Sequence, residues 1–207
     1  METITVTGEY GTAAGDVVRQ LAETMEYEHI GDELQREIAA QLHLSESEVE
    51  VFRKASQSRL IRLMDRYTCS LVQKVVDREH GCLDDRDFHD TATALVEKLH
   101  AAGNVVIHDW GAQCILKDRP NTTHVFLQLD RNAKIEAAMQ QLHVDFQAAR
   151  AAVDEQERNA EQYIRQFFNA DWKDPQLYDL VIDRGRSSVE KTVQEIAGHL
   201  RGRTPAS

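Results

Sequence analysis

The segment Gly8-Glu9-Tyr10-Gly11-Thr12-Ala13-Ala14-Gly15-Asp16 is the first place where this sequence could do chemistry. It lies between a β-favouring run and the start of a helical stripe. A loop that runs into a helix N-terminus presents unpaired backbone N–H groups, and the helix dipole there favours an anion. A complete phosphate loop reads G-x-x-x-x-G-K-[ST]. This segment does not match it, and no lysine lies between Met1 and Arg53. An ordinary βα turn that uses glycines for geometry fits the spacing equally well. A second group is Arg158 and Arg165, seven apart and therefore on one helix face. They could close over transferring phosphates, but from spacing alone the favoured reading is two ordinary i,i+4 pairs, Asp154–Arg158 and Glu161–Arg165, each contributing about 0.2–0.5 kcal/mol. A third group is His80, Cys82, Asp84, Asp85, Asp87, His89 and Asp90, all ligand types for a transition metal. Their spacing matches no standard site, and Asp87 and Asp90 suit the first turn of a helix. A solvated, capped turn is expected there, and no metal. His108-Asp109 could be an acid–base pair at a strand end, or part of a polar rim.

These residues need a scaffold. Ile4 and Val6 alternate with threonines up to Gly8, and Ala14, Val17, Val18, Leu21, Ala22 and Met25 follow at helical spacing. Leu34, Ile38 and Leu42 mark a short helix. Ser45-x-x-Glu48 reads as a capping box for a long helix over 45–79. Its apolar stripe is widened by Ile61, Met64, Val72 and Val76, so a homodimer formed through this helix is expected. Phe88, Ala92, Leu95, Val96 and Leu99 mark another helix, closed by Gly103. Val105-Val106-Ile107, His124–Leu129 and Leu180-Val181-Ile182 read as buried strands. Helices are expected around Ile135–Leu142, over 143–168, and from Val189 to Leu200, the last capped by Ser187-x-x-Glu190. Strands alternating with helices imply βαβ units and a parallel sheet. The strands are expected near 2–7, 27–30, 104–108, 123–129 and 178–183.

The 207 residues fit one domain with an insertion. With 42% hydrophobic and 29% charged residues, the composition is that of an ordinary soluble globular protein. A net charge of −11 argues against a general nucleic-acid surface. No apolar run is long enough for a transmembrane helix, so no membrane partner is expected. Cys69, Cys82 and Cys114 form no CxxC pair and suggest reduced thiols in a cytoplasmic setting.

Taken together, several motifs resemble the cytidylate-kinase-like family, P-loop relatives of the nucleoside monophosphate kinases. Ile4-Thr5-Val6-Thr7-Gly8-Glu9-Tyr10-Gly11-Thr12 is similar to that family's opening, I-T-I-S-R-E-Y-G-S-G-G. Asn121–Leu127 resembles the strand before its lid, and Asp154–Arg158 followed by Tyr163 resembles its lid helix. Asp171-Trp172-Lys173-Asp174-Pro175 and Tyr178-Asp179-Leu180-Val181-Ile182 resemble its D-W-x-D-P and Y-D-L-V-I run, the most specific part of the likeness. The resemblance covers roughly residues 2–200.

It implies an α/β, P-loop NTPase-like three-layer fold: a parallel sheet of about five strands flanked by helices, with a helical insertion and a helical lid. The chain is then a single kinase-like domain with its core in 1–30, 87–142 and 177–201. An acceptor-binding type of insertion occupies 31–86 and a lid 143–176. The implied activity is ATP- and Mg²⁺-dependent transfer of a phosphoryl group to a nucleoside monophosphate, which needs cations at the phosphates. Gly8 to Asp16 would hold the nucleotide phosphates, with Arg158 at the lid-arginine position and Arg165 as a second lid cation. The departures bear on the loop. Ala13 and Ala14 stand where the family has two glycines, and Ala14 falls where an orthodox cytidylate kinase has its phosphate-binding lysine. Asp16 sits near the usual hydroxyl position, where its charge repels phosphate. Asp109-Trp110 replaces Gly-Arg after the Val105 strand. Two expectations follow. One is a nucleotide-binding phosphotransferase with a degraded phosphate loop. The other is a catalytically inactive kinase fold that serves as a nucleotide, anion or protein-interaction module.

Overall fold

A computed structural model describes residues 1–31, 85–109 and 111–203. The sequence-expected helix over 45–79, the residues His80, Cys82 and Asp84, and Trp110 lie outside the described residues. The chain divides into two compact units. The first comprises Met1–Gly31 and Thr93–Ser207, and the second Asp32–Ala92.

The first unit is built on a parallel sheet. Strand β1 is Thr3–Gly8, β2 Glu28–Ile30, β3 Val105–His108, β4 Thr122–Gln128 and β5 Leu180–Asp183. Their spatial order is β2-β3-β1-β4-β5, all parallel. This is the five-strand sheet that the alternating apolar runs and the family resemblance together predict, each strand within two residues of its expected position. Register is fixed by Ile4 opposite Val106 and Thr123, and Val6 opposite His108 and Val125. The chain reverses strand order on either side of β1, and in open α/β sheets a ligand crevice forms at the carboxyl ends of the strands at such a point.

Helix α1 is Ala14–Met25 and α2 is Asp85–Ala102. The short α3 is Ala112–Ile115, α4 Arg131–Leu142, α5 Phe146–Phe168 and α6 Val189–Arg203. Val17, Val18, Leu21 and Ala22 of α1 pack with Ile4, Val6, Val106 and Val125 of the sheet and Val193, Ile196 and Leu200 of α6. Phe126 of β4 anchors a second cluster with Ile164, Trp172, Leu177 and Tyr178. A third cluster holds α4 to α5 through Ile135, Ala138, Ala149 and Val153, with Tyr10 packed against it.

Thr3, Thr5 and Thr7 are buried, because β1 is central in a sheet covered on both faces. Their hydroxyls find partners: Thr3 Oγ1 with His100 Nδ1 at 3.0 Å, Thr5 Oγ1 with His124 Nδ1 at 2.8 Å, and Thr7 Oγ1 donating to Gln113 Oε1 at 3.2 Å. The cap of α6 is Ser188, not Ser187: Ser188 Oγ accepts from the Lys191 amide at 3.3 Å. The capping-box pattern points to Ser187, but the helix start at Val189 makes Ser188 the N-cap, with Lys191 rather than a glutamate three residues on. Among the described residues, no helix is long and apolar enough to cross a membrane.

Candidate functional site

The chain leaves β1 at Gly8 and enters α1 at Ala14, so the Gly8–Asp16 segment lies at the carboxyl edge of the sheet beside its switch point. Gly11 takes φ 73° and Ala13 φ 54°, ψ 39°, both left-handed. At Gly11 a Cβ would come within 2.7 Å of Ala137 Cβ, so this glycine is required twice over. At Gly8 a Cβ would meet Ala14 Cβ at 2.6 Å and Thr12 Oγ1 at 2.7 Å. Thr12 is buried, and its hydroxyl donates to Glu9 O at 2.7 Å, which ties the loop to itself. No side chain caps α1. The amides of Asp16 and Val17 reach Ala13 O at 3.1 Å, whereas those of Ala13, Ala14 and Gly15 make no hydrogen bond among the described residues. Those three N–H groups sit at the positive end of a twelve-residue helix.

The two alanines therefore play different parts. Ala13 holds a conformation that costs an L-residue roughly 1–2 kcal/mol. Ala14 is simply the first helical residue. We expect Ala13→Gly to stabilise the protein by about 0.5 kcal/mol, the relief of that strain being partly offset by the extra freedom of glycine in the unfolded chain. A denaturation midpoint that falls on this substitution would contradict the strain.

Glu9 is 6% exposed and sits in a ring of four charges. Its Oε1 lies 2.8 Å from Lys134 Nζ and 2.8 Å from Lys173 Nζ, and its Oε2 accepts from the Leu129 amide at 2.9 Å. Glu157 closes the ring, its Oε1 at 2.6 Å from Lys134 and its Oε2 at 3.0 Å from Lys173. Burial alone would raise the Glu9 carboxyl, but the hydrogen bonds from Lys134, Lys173 and Leu129 outweigh it and hold it below the usual carboxylate range. Burial works against the Lys173 ammonium, and its two carboxylate partners more than compensate, so its proton is held more tightly than usual. The ring is neutral overall and joins the loop to α4, α5 and the Asp171–Pro175 turn.

Around the loop, Arg184 donates through Nε to Thr12 O at 3.0 Å and through NH1 to Ser187 O and Thr192 Oγ1. Asp16 is paired with Arg19 at 2.5 Å, so its negative charge at the helix start is partly neutralised. Beside it, a cleft of about 350 Å³ is lined by Asp16, Arg19, Gln20, Glu23, Val189 and Glu190. With three carboxylates and one guanidinium, this cleft does not favour phosphate.

Arg158 and Arg165 both lie on α5. Arg158 is exposed and has no ion-pair partner among the described residues. The expected Asp154–Arg158 pair is absent, because Asp154 is taken by Arg131 at 2.7 Å and Arg150 at 3.8 Å. The Glu161–Arg165 pair forms at 2.9 Å on the surface. No hydrogen bond or ion pair joins Arg158 or Arg165 to the Gly8–Asp16 loop. His108 Nε2 and Asp109 Oδ2 are 3.2 Å apart at the end of β3, and Asp109 takes φ 62°. A family glycine suits that left-handed position, and aspartate is among the residues that tolerate it. Among the described residues, no group of three or more His, Cys, Asp or Glu is placed to hold a metal.

Sequence reasoning missed Lys134, Glu157, Lys173 and Arg184. Lys134 carried a signal: it lies four before Ala138 and next to Ile135, on the stripe that α4 buries. A lysine there is expected only if paired.

Strand order β2-β3-β1-β4-β5, a glycine loop from the central strand into a helix, and a helical hairpin after β4 together define a P-loop kinase fold. A sequence profile of the cytidylate kinase-like family matches residues 3–186, and the chain belongs to that family. Compared with curated proteins by sequence, the chain has no significant match. Among solved structures, it is similar to an uncharacterized protein from Eubacterium ventriosum, with TM-score 0.70, 19% identity, and 98% of this chain and 100% of that one covered. It is also similar to a gluconokinase from Sinorhizobium meliloti, with TM-score 0.58, 16% identity and coverage of 97% and 92%. A shikimate kinase from Bacteroides thetaiotaomicron gives TM-score 0.55, 13% identity and coverage of 97% and 98%. At these identities the likeness is one of fold.

Proposed function

We propose that the protein binds a nucleotide by its phosphates at the Gly8–Asp16 loop, and that any phosphoryl transfer from ATP to a nucleoside monophosphate is slow. The observation that carries this reading is the set of unbonded amides at Ala13, Ala14 and Gly15, in a loop braced by the Thr12 hydroxyl on Glu9 O and by Glu9 on the Leu129 amide. The Asp16 carboxylate stands near the usual hydroxyl position and would repel the phosphates unless Mg²⁺ neutralised it. The loop carries no side-chain cation of its own. Each missing charged contact weakens binding by about one to two orders of magnitude. Arg158 and Arg165, both exposed on α5, are the lid cations that closure would bring in.

The test is a titration with ATP, CMP and related nucleotides, with and without Mg²⁺, followed by a transfer assay on any nucleotide that binds. The expected result is ATP binding weaker than micromolar. The triple variant Ala13→Gly, Ala14→Gly, Asp16→Thr should bind ATP·Mg²⁺ more tightly than the parent. Micromolar binding with rapid turnover by the native chain would replace this reading with that of a plain kinase. A second reading, an inactive kinase fold serving as an interaction module, is favoured by the strained Ala13 and by Asp109 in place of the family glycine. It predicts no phosphoryl transfer from any nucleotide, whether or not one binds.

A lid also has a dynamic signature. With no ligand bound, amides in 143–176 should exchange faster than those of β3, because motion-prone lids order only on closure. Equal protection in the two segments would remove the lid assignment.

A further inference from the structure

Of the four charges in the buried ring, Lys173 is the exception. Its side chain is 38% exposed, against 6% for Glu9, 7% for Lys134 and 19% for Glu157. It is also the member the ring can release. Lys134 alone bridges Glu9 Oε1 at 2.8 Å and Glu157 Oε1 at 2.6 Å, and Glu9 Oε2 keeps the Leu129 amide. If Lys173 turned away, neither carboxylate would lose its last cation. Lys134 has no such freedom, since it is buried between the two acids.

The base of the Lys173 side chain is fixed. Trp172 is 5% exposed in the Phe126 cluster, and Lys173 Nζ lies 5.1 Å from the Trp172 ring centroid. The turn is pinned further by the Asp171 carboxylate, which accepts from the Lys173 amide at 3.0 Å. Only the flexible stem and the ammonium are free to move. The ammonium already touches a loop residue, Glu9, four positions before Ala13, whose amide is unbonded.

We propose that Lys173 is a phosphate-contacting residue: it supplies, from the turn after α5, the cation that the Gly8–Asp16 loop lacks. When a polyphosphate enters the loop, Nζ exchanges the Glu9 and Glu157 oxygens for phosphate oxygen, and Lys134 stays bridged to both carboxylates, which then share one cation. The inference rests on the nucleotide reading above for the place of the ligand, and its ligand class is an inorganic or nucleoside polyphosphate. A lysine suits the task because its ammonium acts as a mobile point charge, whereas the Arg184 guanidinium is committed to Thr12, Ser187 and Thr192.

The test uses the full chain and two probes, tripolyphosphate and ATP, each titrated with and without Mg²⁺. Lys173→Met keeps the stem and removes the charge, and Lys173→Arg restores a charge. Lys98→Met, on the exposed face of α2, controls for loss of one surface charge. Expected is a roughly 10- to 100-fold weaker affinity for both probes in Lys173→Met. Partial recovery is expected in Lys173→Arg, and a change under about threefold in Lys98→Met. The thermal midpoint of each variant is measured alongside, so that unfolding is not read as weak binding. If Lys173→Met binds tripolyphosphate as tightly as the parent, the inference is wrong and the nucleotide reading survives. If the parent binds tripolyphosphate with this dependence but discriminates against ATP, the nucleotide reading fails and the inference stands. Binding of neither probe by the parent overturns both.

Discussion

Glu9→Gln is expected to lower stability by about 3 kcal/mol, because removing one partner from a buried ionic group leaves an uncompensated charge, at a cost of about 3–5 kcal/mol. The lower end applies here, since Glu157 still faces both lysines after the change. For a chain of this length the thermal midpoint should fall by about 6–12 °C. The amide of glutamine can still accept from Leu129, so the loss reports the charge and not the shape. The effect also has a pH signature. Glu9 is held below its ordinary value of 4.5, so its contribution is present above that value and is lost as pH falls through the lower folded-state value. Lys173 is held above its ordinary 10.5, so its contribution is present below that value and is lost as pH rises through the higher one. The gap between parent and Glu9→Gln should be constant near neutrality and shrink below about pH 4.5. A difference that stays the same down to pH 3 would mean that the ring charge does not carry the stability. The contrast between Glu9→Gln, which leaves Glu157 alone to face two lysines, and Lys173→Met, which leaves Lys134 bridging both acids, follows from the same geometry.

Much of this fold was legible because its signals are local. Apolar runs at Val105, Val125 and Leu180 and helical stripes at Val17 and Val193 each need only a few neighbouring residues to be recognised. Gly8 and Gly11 marked a tight loop correctly, since a left-handed φ or a close approach leaves a glycine in the sequence. The ring was illegible for the opposite reason. Glu9, Lys134, Glu157 and Lys173 come from four separate segments, and each looks like an ordinary surface charge until the fold brings them together. Asp154 shows the same limit on a smaller scale. Helical spacing offers it Arg158, but Arg131 on α4 wins by lying across the hairpin at 2.7 Å. The hidden threonine hydroxyls of β1 are a third instance, because only strand order reveals that β1 is central and needs partners on both faces.

Phe126→Ala should be the most damaging single truncation near the site, costing about 3–5 kcal/mol as expected for a buried phenylalanine. Phe126 is 4% exposed on β4. Its ring stacks on Tyr178, with centroids 4.8 Å apart and planes at 22°, and meets Trp172 edge-on at 5.6 Å and 86°. Each such pair adds about 0.5–1.5 kcal/mol beyond burial. The Tyr178 hydroxyl donates to Trp172 O, and Gln113 Nε2 approaches the same hydroxyl at 3.4 Å, so the three rings cannot close up without breaking polar contacts. A cavity left here therefore collapses poorly, which places the loss toward the upper part of the range. Phe126→Leu should retain a good part of the stability, since it keeps apolar volume and loses only the ring contacts. The consequence reaches the candidate site through Trp172, which seats Lys173 against Glu9. Urea unfolding of both variants, with the denaturant slope checked for constancy, gives the measurement. A loss below about 1 kcal/mol for Phe126→Ala, outside the range expected for such a truncation, would show that the aromatic cluster does not fix the turn that carries Lys173.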